Sequence, residues 1–224
     1  MTVALAATIH DVEARLVPAI ARNAPVLRTA FDGIAINMTD TTAPDVVDAV
    51  RLALGFAAAA ILYCYFDHVL RWIGAGAGEL AAVRDSQPDI DMLVVGRSAP
   101  AFAAEPARLR ETEGIVNHIY ALMSGRPWDL MFAVRRLSRR CAETVVRDGR
   151  IDTIANDVEW PLLAERAGLS LGYAEADGLY YRTMDEFGAA ADTHDTEPGE
   201  WIRRIEIATL HAGVMKSYLR QGPD

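Results

Sequence analysis

Apolar positions along this chain recur mostly at helical spacing. Ile9, Val12, Leu16, Ile20, Leu27 and Phe31 follow one another about a turn apart, which predicts helix over residues 8–31 with a kink at Pro25. The segment TTAPDVVDAV then reads as a helix start, with Thr42 as cap and Pro44 in the first turn. That helix is expected to run over residues 46–73 and to stop at GAGAG. Its middle, LALGFAAAAILYCYF at residues 52–66, carries no charge and no polar face, so it is expected at the centre of the fold, enclosed by other helices. Further helices are predicted over residues 79–84, 106–123, 127–147, 152–167, 173–191 and 200–220. Two short stretches read as strands, GIAINMT at residues 33–39 and IDMLVVG at 90–96.

The resulting expectation is a mainly α protein. It has about seven helices around a central buried one, with at most a small β-hairpin, in a single domain of residues 1–224. Composition narrows the function. A net charge of −9 argues against a nucleic-acid partner. The uncharged run falls short of the ~18 residues that suggest a membrane span. The start of the chain lacks the basic, then apolar pattern of a secretion signal. The two cysteines, Cys64 and Cys141, sit among apolar residues, so reduced thiols and a cytoplasmic protein are expected.

The stretch NDVEWPLLAERAGLS resembles three known patterns. NDVEWPLLAE is similar to the second metal motif of class I terpene synthases, which implies magnesium and a diphosphate. Here Trp160 stands at the hydroxyl position, and Glu165 falls one residue, about 100° of helix, late. LAERAGLS resembles the turn of a DNA-reading helix pair, but Glu175 and Asp177 follow where phosphates would lie. The longer segment from Ile151 is similar to the first helix of small helical chorismate mutases, with a one-residue insertion and Pro161 inside the helix. An amphipathic helix ending at Gly168 accounts for the stretch without any of them.

Candidate chemistry rests on five histidines and one arginine cluster. His68, His118 and His211 each lie on an apolar helical face. Converging helices would make them an acid/base site or ligands of a metal or haem. Glu113–His118 and Glu206–His211 are spaced i, i+5, about 140° apart on a helix, so neither pair can share one ion. No cofactor is named by any motif: the chain has no P-loop, dinucleotide fingerprint or zinc-type cysteine pair. Arg135, Arg136, Arg139 and Arg140 in RRLSRR are expected on one helix side as an anion-binding face. The expected function is a helical enzyme acting on a hydrophobic or aromatic small molecule. The alternative is a non-catalytic helical protein working as a homodimer through the arginine face or residues 173–181. A homo-oligomer is expected in either case.

Overall fold

The chain opens with a strand, not a helix. In the computed structural model, which describes residues 1–11, 13–38, 46–180 and 194–221, β1 (Val3–Ile9) is buried at all seven positions. A strand covered on both faces reads as a continuous apolar run, so its sequence loses the alternation that marks an exposed-faced strand. The expected helix over residues 8–31 shortens accordingly to α1 (Val17–Ala30), which contains Pro25 without ending there.

The expected central helix does not exist. Residues 46–73 split into α2 (Val46–Ala53), a loop, β3 (Ala60–Tyr65) and the start of α3 (Phe66–Asp85). The expectation that the whole uncharged run is enclosed also fails: residues 60–64 are buried, as a strand in the middle of a sheet, but Leu52 and Phe56 are 55 and 37% exposed. Ile61, Tyr63 and Tyr65 favour an extended backbone. The Arg139 guanidinium donates to the carbonyls of Leu54 and Phe56 at 3.0 and 3.1 Å, satisfying backbone acceptors just past the end of α2. The proposed start at Thr42 and Pro44 lies outside the described residues.

RRLSRR is likewise not a helix face. It spans β5 (Val134–Ser138) and the first turn of α6 (Arg139–Asp148), whose N-cap Ser138 accepts from the Cys141 N–H at 3.1 Å. The remaining elements are β2 (Gly33–Met38), β4 (Met92–Arg97), α4 (Ala99–Ala103), α5 (Ala107–Ser124), α7 (Asn156–Arg166), β6 (Leu171–Ala176) and α8 (Pro198–Gln221). The two strands expected from sequence are β2 and β4, but they do not pair with each other. The helix expected over residues 173–191 begins inside β6, and its part beyond residue 180 lies outside the described residues.

The six strands form one mixed sheet in the order β2-β1-β3-β5-β4-β6. β5 runs antiparallel to β3 and β4, and the other pairings are parallel. The protein is therefore α/β, and the all-helical bundle is overturned by this sheet. Helices cover both faces. Leu5, Leu62, Cys64, Leu93 and Val95 point to the side of α1 and α3. Ala6, Ile61, Tyr63, Met92 and Val94 point to the side of α2, α5, α6, α7 and α8. Cys64 and Cys141 are buried free thiols. Among the described residues, no helix is long and apolar enough to cross a membrane.

Candidate functional site at the carboxyl edge of the sheet

β1 leads through α1 to β2 on one side of it, whereas β3 leads through α3 away to β4 on the other. The connections after β1 and β3 thus diverge, which makes their carboxyl ends a topological switch point. Doubly wound sheets bind ligands at such switch points. Three features stand at this edge. His10 and Asp11 follow β1, and Asp11 accepts from the N–H groups of Arg15 and Leu16 at 2.8 Å each. Asp67 and His68 occupy the first turn of α3, directly after β3. The N-terminus of α3 has no side-chain cap, so its first N–H groups face this edge.

Asp67 is about one-third exposed and pairs with Arg71 at 2.8 Å. His68 lies 3.9 Å from Asp67, stacks on Phe132 with ring centroids 4.3 Å apart, and meets the edge of Tyr65 at 5.5 Å. Burial lowers the His68 pKa, and the neighbouring Asp67 does not reverse that, so the ring is neutral at pH 7.

Beside the crevice, at the end of β4, lies a buried charge network. Arg97 donates to Asp129 at 2.7 Å, Glu113 at 2.7 Å and Glu105 at 3.1 Å. Its guanidinium also lies over the rings of Phe102 and Phe132, at 4.7 and 5.2 Å. Asp129 is further held by Asn117 at 2.8 Å. The close packing here demands Gly96, since a Cβ would stand 2.7 Å from the Asp129 carbonyl and 2.2 Å from the Tyr173 hydroxyl. Burial alone would raise Asp129, but Arg97 and Asn117 hold it below the ordinary carboxylate value.

Burial dominates at Glu113 and lifts it to about 7, against the opposing pull of Arg97 and Arg204. A carboxyl raised in the folded state contributes most stability while it is protonated in both states. The Glu113 contribution should therefore be full below its ordinary 4.5 and decline as pH rises toward 7. Urea titrations across that window should show wild type losing stability relative to Glu113→Gln. A difference that stays flat, or grows with pH, would contradict the assignment.

The three histidines expected to converge do not. His68 packs with the core on the α1/α3 side through Phe132. His118 is exposed on α5. His211 is fully buried on α8, with Nδ1 2.8 Å from the Ile207 carbonyl and Nε2 3.1 Å from that of Ile154. The arginines are also dispersed. Arg135 and Arg136 are buried, adjacent strand residues directed to opposite faces. Arg135 donates to the carbonyls of Val134, Leu130 and Asp157, and Arg136 to those of Arg84, Ser86 and Gln87 at the end of α3. Arg140 pairs with Asp91 at 2.6 Å, and Arg139 with Glu143 at 3.3 Å. Sequence reasoning missed Asp67, Arg71 and Arg97. An Asp-His pair directly after an apolar run is the signal that a strand assignment for residues 60–65 would have exposed.

No family model matches this sequence, and no curated protein matches it. Solved structures of glucosyl-3-phosphoglycerate synthase from Mycobacterium tuberculosis are similar in shape. The complex with Mn2+, uridine-diphosphate-glucose and phosphoglyceric acid superposes at a TM-score of 0.48 and 12% identity, covering 93% of this chain and 78% of that chain. The complex with uridine-diphosphate gives 0.48 at 10% identity, covering 92% and 80%. Likeness at this level brings no activity to this chain. The expected helical small-molecule enzyme, and its helical homodimer alternative, are overturned by the sheet itself. The interhelical apolar pocket was inferred from a bundle that is not there.

Proposed function

We propose that this chain binds a nucleotide-bearing small molecule, together with a divalent cation, in the crevice outside β1 and β3. The observation that carries this reading is the switch point, with Asp67 and the uncapped N-terminus of α3 both at its mouth. Free N–H groups at a helix start suit a phosphate. Among the described residues, no three metal-ligating side chains gather in advance. That fits a magnesium-type ion, which is commonly held by one or two carboxylates plus the phosphates of its ligand. Asp67 is the carboxylate that would hold it, and the ion would neutralise phosphate charge. Arg71 keeps Asp67 oriented until a ligand arrives. His68, neutral and beside Asp67, is the group placed to accept a proton from a second substrate in group transfer.

Isothermal calorimetry with uridine and adenosine diphosphates, each with and without Mn2+, tests the reading. At least one nucleotide should bind saturably with Mn2+ present, and Asp67→Asn should weaken it by about tenfold or more. No heat from either nucleotide, or affinity indifferent to both Mn2+ and Asp67→Asn, would remove the proposal.

A further inference from the structure

On the face of the sheet covered by α7 and α8, five buried polar atoms stand without a hydrogen-bond partner among the described residues. They are Tyr63 Oη, Arg135 Nε, Asn156 Oδ1, Asp157 Oδ2 and Trp160 Nε1. None of these residues is more than 2% exposed. The fold gathers them. Tyr63 of β3 and Arg135 of β5 stand directly opposite each other in the antiparallel register, so their side chains leave the same face of the sheet. Asn156, Asp157 and Trp160 fall within an arc of about 100° at the start of α7. Trp160 meets the Tyr63 ring edge-on at 5.0 Å, and Arg135 donates to the Asp157 carbonyl at 3.0 Å.

The set is complementary but not in contact. Tyr63, Arg135 and Trp160 offer donors, and Asn156 and Asp157 offer acceptors. Yet Arg135 Nη2 stops 3.9 Å from Asp157 Oδ1, and His211 Nε2 stops 3.9 Å from Oδ2, both beyond hydrogen-bond reach. Each group left unpaired in a dry interior would lower the folded-to-unfolded ratio by roughly five- to a hundredfold. Together they would offset most of the stability of an ordinary domain. Apolar packing cannot relieve that cost, whereas a small partner that donates and accepts at once can.

We propose that ordered water binds at this cluster and bridges Asp157 Oδ2 to the donors of Arg135, Tyr63 and Trp160, making Arg135 and Asp157 a water-separated pair. A buried water makes about three hydrogen bonds to otherwise unsatisfied groups, so about two molecules would serve the whole set. The bound water would tie β3 and β5 to the first turns of α7, where the side chains themselves stop short. Tyr65 links this cluster to the switch point, its ring lying 6.3 Å from that of Tyr63 and 5.5 Å from that of His68.

The sign of one substitution tests this, with no nucleotide present. Tyr63→Phe removes a hydroxyl and little else. With water bound, that hydroxyl is hydrogen-bonded, and its loss should raise the unfolding equilibrium constant in urea titrations about three- to tenfold. In a dry cluster the same change deletes an unpaired donor, and the variant should be the more stable protein. Should Tyr63→Phe misfold, the wild type decides by itself. The Trp160 indole proton should give a nuclear Overhauser cross-peak to a long-lived water. Stability that rises or stays level in Tyr63→Phe, or an indole proton without a water contact, would overturn the proposal.

Discussion

Arg97→Met should lower the unfolding free energy by about 3–5 kcal/mol, the cost of breaking a buried ion pair by removing one partner. The side chains of Arg97, Glu105, Glu113 and Asp129 are each less than a tenth exposed. Methionine nearly preserves the volume, so the loss reports charge and not a cavity. What it leaves behind is three carboxyl groups around one apolar side chain, with Arg204 on Glu113 at 3.3 Å. Urea unfolding gives the magnitude, and its pH dependence gives the cause. In wild type Asp129 is held below its ordinary value by Arg97, so that part of the stability is present above pH 3.8 and is lost as pH falls. The deficit of Arg97→Met should therefore shrink on acidification. A deficit constant from pH 7 to 4 would assign the loss to packing against Phe102 and Phe132. Arg97→Lys keeps the charge but not the fork that reaches three acceptors, and should fall between the two. The effect should extend to the crevice. Phe132 is shared between Arg97 and His68, so a loosened network loosens the floor under His68.

The sequence was most legible where an element has one wet side. β2, α5 and α8 alternate or repeat with a polar face, and all three were placed within a few residues. Although β4, buried at all six positions, was read as a strand, the sequence was least legible in β1 and β3, two of the four interior strands. Both faces of these strands are covered, so no period of two survives, and the alanines 57–60 bias the reading toward helix. β5 failed for another reason. Adjacent arginines in an otherwise amphipathic run suggest a solvated helix side, yet Arg135 and Arg136 are buried and spend their donors on backbone carbonyls. Such acceptors can lie far away in sequence, as with Arg136 and the end of α3, some fifty residues earlier. The error in fold then propagated to the site. Histidines assigned to converging helices were distributed over two faces of a sheet. The crevice between β1 and β3 could not be seen until residues 60–65 were known to be extended.

His211→Leu should cost about 3 kcal/mol, again by stranding a buried charge, and its pH profile should run opposite to that of Arg97→Met. Both ring nitrogens of His211 face carbonyl oxygens, those of Ile207 and Ile154, which only a doubly protonated ring can satisfy. Its counter-charge is Asp157, whose Oδ2 lies 3.9 Å from Nε2 and makes no hydrogen bond among the described residues. Arg135 stands 3.9 Å from the other oxygen, Oδ1. Burial pushes the His211 pKa down, but Asp157 and the two carbonyls outweigh it, and the net shift is upward from 6.5. A histidine raised in the folded state contributes stability that is complete below its unfolded value and is lost as pH rises through the folded one. The gap between wild type and His211→Leu should therefore be widest below pH 6.5 and narrow on the alkaline side. His211 joins α8 to the turn that leads into α7, so amide exchange should quicken first in α8, before the strands of the sheet respond. If the gap widens with pH instead, the ring is neutral in the folded protein and Asp157 is balanced by Arg135 alone.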